Sequence, residues 1–101
     1  MNKNDLPSIS SYGDYSSDNY GVNSLAIRLG TITLYYSYKT IVAYRDYQDG
    51  LIVHENDWRT TTGKHLNWLD GGDKKSRLND TDFQIKLECA LNRHVQWAYI
   101  T

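Results

Sequence analysis

The chain has 101 residues, which is the length of one domain, and its formal net charge is −1 at pH 7. This near-neutral charge gives no global field that would attract nucleic acid, and it argues against an acidic DNA mimic. Nine tyrosines and three tryptophans stand against a single phenylalanine. Because Tyr and Trp combine an apolar ring with a polar tip, they are enriched at protein interfaces, and the composition favours a binding protein.

The cysteine content and the hydropathy pattern indicate the compartment. The single cysteine, Cys89, excludes an internal disulfide and fits a reducing cytosol. No apolar run approaches membrane-spanning length, and no hydrophobic stretch follows the first five residues as it would in a signal peptide. We therefore expect a cytoplasmic protein.

Residues 1–23 differ in composition from the rest of the chain. They are rich in Ser, Asn, Asp, Gly and Tyr and nearly lack aliphatic side chains, so they are predicted to be a mobile N-terminal segment. Tyr12, Tyr15 and Tyr20 are spaced so that they could dock on the domain or on a partner. Residues 24–101 are predicted to form a single α+β domain.

Four strands are predicted after this segment, because apolar residues alternate or β-branched and aromatic residues dominate. The four runs are 24–29, 31–38, 40–47 and 51–54. Their connections are short, and Asp49-Gly50 is a strong hairpin signal, so the sheet is expected to be antiparallel.

Two helices are predicted in the second half of the chain. Thr60–Thr62 suit a strand, but a short helix over 62–69 that ends at Gly71 is favoured. A longer C-terminal helix begins at Asn79 or Asp80. Its apolar face is predicted to pack across one face of the four-stranded sheet. The contacting residues would be Phe83, Leu87, Ala90 and Leu91 on the helix and Leu25, Ile27, Ile32 and Leu34 on the sheet.

Three stretches carry a resemblance to a known group of proteins. They are Leu34–Tyr44 (LYYSYKTIVAY), Trp58–Asn67 (WRTTTGKHLN), and Arg77-Leu78 followed by Phe83 and Leu87. Over about residues 24–92 this pattern resembles a family of small domains of unknown function found mostly in phages and other mobile elements. The resemblance implies a small intracellular accessory protein of phage type and brings no catalytic residue with it.

A protein-binding surface is predicted from aromatic residues on and beside the sheet. If Ile32 and Leu34 face the C-terminal helix, Tyr35 points to the opposite face, where an exposed aromatic patch would bind a partner or a second copy of the chain. The N-terminal segment could instead fold over that face. The predicted binding residues are Tyr35, Tyr38, Tyr44, Tyr47 and Trp58.

A nucleic-acid-binding surface is the alternative, because positive charge exceeds negative charge between residues 59 and 77 and aromatic rings are interleaved there. Its predicted residues are Arg59, Lys64, His65, Trp68, Lys74, Lys75 and Arg77. Within this stretch Thr62-Gly63-Lys64 could seat an anion, although it lacks the full phosphate-loop pattern.

A small metal-dependent nuclease is the third hypothesis. Its carboxylates would be Asp46, Asp49, Glu55 and Asp57. The plainer interpretation of these carboxylates is a solvated rim of turns. The three histidines have no metal-ligand spacing, so no metal and no cofactor is predicted.

The favoured hypothesis is a non-enzymatic, phage-type binding protein. Its partner would be a host protein, such as a CRISPR effector or another nucleoprotein, and it would act as an anti-CRISPR-like inhibitor of a host defence nuclease. The context of the resemblance, rather than any motif, supports the inhibitor part of this hypothesis.

Overall fold

The sheet of this protein has five antiparallel strands in a simple meander, one more than the sequence predicted. The computed structural model describes residues 8–13, 23–58 and 60–100, with side chains described up to His94 in the last helix. The strands, in spatial as well as chain order, are β1 (Ser8–Ser11), β2 (Ser24–Leu29), β3 (Ile32–Ser37), β4 (Thr40–Asp46) and β5 (Gly50–Val53).

The additional strand comes from the segment predicted to be mobile. β1 pairs with β2 in the register Ser11↔Leu25, and Tyr12 continues the pairing by donating its N–H to the Ser24 carbonyl at 3.0 Å. The ring of Tyr12 is 6% exposed. Residues 8–12 are therefore paired with the sheet, whereas Tyr15, Tyr20 and the remainder of the segment, apart from Gly13, lie outside the described residues.

Two helices follow the sheet, α1 (Thr60–Asp70) and α2 (Asp80–Ile100), with a 3₁₀ turn at Lys74–Ser76 between them. The helix favoured at 62–69 is confirmed, and Gly71 follows it with φ of 67°, a left-handed value that suits a helix end. Of the two residues at which the sequence lets this second helix begin, Asn79 and Asp80, Asn79 is the N-cap, because its side-chain oxygen accepts the Asp82 N–H at 2.8 Å.

The helix α2 packs on one face of the sheet. Phe83, Leu87 and Ala90 are buried against Ile32 and Leu34, as the sequence predicted. The predicted contacts with Leu25 and Ile27 are not part of this cluster of described residues, and both side chains are half-buried. Tyr44 completes the cluster, and its ring lies 6.2 Å from that of Phe83.

The helix α1 covers the opposite face. Its buried Leu66 packs with Val42, Ala43 and Val53, and Tyr35 lies against this second cluster. The expected exposed aromatic face is therefore wrong for this part of the sheet, because α1 and Tyr12 cover it. The fold has three layers, with the sheet between the two helices.

A β-bulge in β4 decides which residues reach each face. Tyr35 pairs with Ala43 but Tyr36 pairs with Ile41, so Val42 is the extra residue. As a consequence Val42 and Ala43 both join the cluster beneath α1. Tyr44, shifted by the bulge, pairs with Leu34 and points toward α2 instead.

Candidate functional site

The five residues predicted to bind protein do not form one patch. Tyr44 is fully buried, so its assignment to the surface is wrong, and the bulge described above is the reason. Tyr35 is half-buried beneath Tyr12, with the two rings 5.3 Å apart in an edge-to-face arrangement. Tyr47 is 71% exposed but contacts His94 in a separate region. The remaining two, Tyr38 and Trp58, share one groove.

This groove lies where the β3–β4 turn meets the N-terminal end of α1. It is open to solvent, has a volume of about 560 Å³, and is lined by Tyr38, Asp57, Trp58, Thr61 and Thr62. Its size falls in the range of pockets that hold small molecules or parts of a partner protein. Two aromatic rings, two hydroxyls and one carboxylate are thus the chemical groups that it presents.

The loop before α1 holds Trp58 in position. The Trp58 N–H donates to the side-chain oxygen of Asn56 at 2.9 Å, and the indole lies against the ring of His54, with centroids 4.7 Å apart and the ring planes tilted by 49°. Trp58 nevertheless remains 37% exposed. Gly63 lets Asn56 approach α1, since a Cβ there would lie 2.9 Å from the Asn56 amide nitrogen.

Tyr38 forms the other wall from a strained backbone. Its φ of 57° lies in the left-handed region, and Tyr38 is the one non-glycine residue with such a value in the described parts of the chain. The conformation costs about 1–2 kcal/mol for a residue with a Cβ. The Tyr38 N–H donates to the Asn23 carbonyl at 2.8 Å, and its ring is 50% exposed. The positive φ belongs to the two-residue turn between Ser37 and Thr40, and a tyrosine that adopts it with its ring exposed is a candidate functional position.

A buried polar cluster beneath the groove joins α1 to β3. The Ser37 hydroxyl lies 2.8 Å from the Thr62 hydroxyl and 2.7 Å from Nδ1 of His65, and all three residues are buried. These bonds fix the first turns of α1 against the sheet. Because His65 is 0% exposed, its assignment to a nucleic-acid surface is wrong.

A histidine at the end of β5 supports the Trp58 side of the groove. Both ring nitrogens of buried His54 face acceptors, with Nδ1 on the Glu55 carbonyl and Nε2 at 3.0 Å from the Asp80 carboxylate. The bond from His54 lowers the pKa of the Asp80 carboxyl below its usual range. Asp57 lies 4.0 Å from the same Nε2.

Arg77, a second residue of the predicted nucleic-acid-binding set, is also buried. The Arg77 guanidinium binds both oxygens of Asp70, at 2.7 and 2.9 Å, and donates to Asn67 at 2.9 Å. Burial alone would raise the pKa of Asp70, but the bonds from Arg77 lower it overall. Since the Arg77 side chain is 2% exposed, its assignment to nucleic-acid binding is wrong. Arg59 lies outside the described residues, and the members that remain exposed are Lys64, Trp68, Lys74 and Lys75.

The carboxylates predicted for a nuclease divide into separate structures. Asp46 is buried and bonded to Arg93 and His94, and it accepts the Asp49 N–H at 2.6 Å. Burial alone would raise the pKa of Asp46, but these donors hold it below its usual range. Asp49 accepts the Tyr44 hydroxyl at 2.7 Å. Within the described residues no group of three or more His, Cys, Asp or Glu side chains is arranged to hold a metal.

The sequence predicts binding for Tyr38 and Trp58 but does not connect them with the other residues of the groove. It predicts Asp57 only as a nuclease carboxylate, Thr61 only as a helix or strand former, and Thr62 as part of an anion seat. The stretch Trp58–Asn67 was the available signal, because its unusual composition marks the segment that builds one wall and the floor.

Comparison with protein families places the chain in a group without assigned chemistry. A family model described as "Family of unknown function (DUF8033)" matches residues 8–85. The chain belongs to this family. The DUF8033 match begins at the first residue of β1, so it includes the strand that the predicted domain boundary at residue 24 left out. Neither the curated proteins nor the solved structures give a match. No helix in the described parts of the DUF8033 chain has the length and apolar character to cross a membrane.

Proposed function

We propose that this protein is a non-enzymatic binding protein that holds a partner protein in the groove between Tyr38 and Trp58. The observation that carries the proposal is the pair of exposed aromatic rings that line one groove, one of them on a residue with a positive φ. Large aromatic anchors in a concave site are typical of the residues that dominate interface energy.

The finer part of the proposal concerns the identity of the partner. We infer a host protein in the cytoplasm of a bacterium, with the chain acting as a phage-type inhibitor of a defence nuclease, in the manner of an anti-CRISPR protein. The small size, the near-neutral charge and the resemblance of the stretch Trp58–Asn67 to phage-type domains support this inference.

The non-enzymatic character is supported by the use of the candidate acid groups. Asp46 and Asp49 are bound to Arg93, His94 and Tyr44 at one end of the sheet. Asp57 lies in the groove, apart from that cluster. A carboxylate that is already paired with a cation is a poor general base, because its pKa is lowered.

Nucleic-acid binding remains the second candidate, because Lys64, Trp68, Lys74 and Lys75 are exposed. This set of four residues is smaller than the predicted set, and phosphate contacts supply most of the affinity for nucleic acid. Steep dependence of binding on salt concentration, with loss of binding in a Lys74→Ala/Lys75→Ala variant, is the expected sign of this function.

An affinity pull-down from bacterial lysate, with and without nuclease treatment, separates the two candidates. The variants are Tyr38→Gly in the groove, Tyr47→Ala as an exposed-tyrosine control, and Lys74→Ala/Lys75→Ala. The proposal expects a stoichiometric protein partner that survives nuclease treatment and is lost only with Tyr38→Gly. Co-purifying nucleic acid that is lost only with the lysine variant would refute it. A partner that proves to be a second copy of the chain would mean self-association, which sedimentation at rising concentration measures directly.

A further inference from the structure

Among the described residues, two carboxylates lie together beside one end of the groove. Asp57 and Asp80 are both within 4.0 Å of Nε2 of His54. Asp80 is the nearer at 3.0 Å and makes the hydrogen bond, whereas Asp57 makes only the longer contact. Its side chain is 51% exposed and lines the groove. A negative site therefore lies beside the Trp58 ring.

Two aromatic faces and a carboxylate select for one kind of side chain. The faces of Tyr and Trp rings attract cations, with Trp the stronger of the two. A guanidinium is planar, stacks on such faces, and binds a carboxylate through two parallel N–H groups, whereas an ammonium acts as a point charge. The Thr61 hydroxyl at the groove offers a further acceptor for a guanidinium N–H.

We propose that the groove binds an arginine side chain presented by the partner protein, in contact with the rings of Tyr38 and Trp58 and paired with Asp57. This inference rests on the proposed function and names the chemistry by which the partner is recognised. The groove is open to solvent, so a side chain of a partner protein can enter it. Arginine is also among the residues most enriched at the energetic centres of protein interfaces.

The test uses the ¹⁵N-labelled full chain and short peptides followed by NMR. The probes are acetyl-Gly-Arg-Gly-amide and the same peptide with citrulline or lysine in place of arginine. Citrulline keeps the shape of arginine and removes its charge. The arginine peptide should shift the Trp58 indole N–H signal and bind about tenfold more tightly than the citrulline peptide, with lysine between the two.

A matched pair of variants isolates the carboxylate. Asp57→Asn and Glu55→Gln each remove one negative charge from exposed side chains of the same loop, but only Asp57 lines the groove. Asp57→Asn should weaken arginine binding by about tenfold, while Glu55→Gln changes it less than twofold. Equal effects of the two variants, or equal affinity for arginine and citrulline peptides, would overturn the inference.

The peptide titration tests the arginine inference, and the pull-down tests the proposed binding function, so each can fail without the other. If the pull-down yields a partner that depends on Tyr38 while the arginine peptide neither shifts Trp58 nor displaces that partner, the arginine inference fails and the binding function stands. If the peptide binds as expected but no captured protein depends on Tyr38, the binding function in the cell fails instead.

Discussion

The left-handed backbone at Tyr38 leads to a prediction in which the usual order of two substitutions is reversed. At an ordinary position glycine is less stable than alanine by about 0.5–1 kcal/mol, because glycine has more freedom in the unfolded chain. At φ of 57° a residue with a Cβ is destabilised by about 1–2 kcal/mol, and glycine, which has no Cβ, is not. Tyr38→Gly should therefore be more stable than Tyr38→Ala by about 0.5–1 kcal/mol.

The comparison between these two variants removes the contribution of the ring, which both of them lack. Tyr47 supplies the control, since it is an exposed tyrosine outside the left-handed region, and there Tyr47→Ala should be the more stable variant. Thermal unfolding followed by tryptophan fluorescence measures the difference. For a domain of this size the expected gap at position 38 is roughly 2–8 °C in Tm, with glycine the higher.

Both variants at position 38 should lose partner binding, because both remove one wall of the groove. Loss of binding in Tyr38→Gly, the more stable variant, could then not be attributed to unfolding. If Tyr38→Ala equals or exceeds Tyr38→Gly in stability, the backbone strain is not present, and strain gives no support to a functional role for Tyr38.

Three further changes test the placement of other side chains. Arg77→Met should lower the free energy of unfolding by about 3–5 kcal/mol, because it leaves Asp70 unpaired in a buried site. The control Lys75→Met should lower it by less than about 0.5 kcal/mol. Urea denaturation measures both values, and a similarly small loss for the two variants would show that the Arg77–Asp70 pair is exposed. Tyr12→Ala should lower the free energy of unfolding by about 3 kcal/mol, because the Tyr12 ring packs under α1 and its hydroxyl donates to the Tyr36 carbonyl. A loss below about 1 kcal/mol would mean that the N-terminal segment is not docked. Burial, and then the bond to Asp49, raise the pKa of Tyr44, so the unfolded state loses the Tyr44 proton at a lower pH than the folded state. The contribution of Tyr44 to stability is therefore fully present below about pH 10 and falls above it. Tyr44→Phe should remove this part of the loss of stability in denaturation measured from about pH 8 to 11.

The predictable part of the fold followed from local patterns. Strands β2 to β5 have alternating or β-branched sequences, and Asp49-Gly50 marks the last hairpin. Both helices carry recognisable ends, with Asn79 bonded to Asp82 at the start of α2 and Gly71 after α1. In each of these cases the signal lies within a few residues of the feature that it specifies.

The missed features depend on contacts between distant residues. β1 has the sequence Ser-Ile-Ser-Ser, which is too polar to predict a strand. It forms because β2 supplies the edge on which it pairs and because the Tyr12 hydroxyl donates to the Tyr36 carbonyl, 24 residues away. The bulge at Val42 leaves no mark in a strictly alternating pattern, yet it moves Tyr44 from the surface to the core. Strain at Tyr38 is likewise a property of the closed hairpin.

The stretch Trp58–Asn67 shows why a specific sequence pattern does not by itself locate a binding site. Thr62 and His65 bond to Ser37, and Leu66 packs in the core, so these members are explained by the attachment of α1 to the sheet. Their bonds and contacts are satisfied within the chain. Trp58 and Thr61, from the same stretch, keep exposed surface in the groove, although the Trp58 indole also lies against His54. Only these two members of the stretch therefore support the proposed binding site, and the sequence pattern does not distinguish them from the members that hold α1 on the sheet.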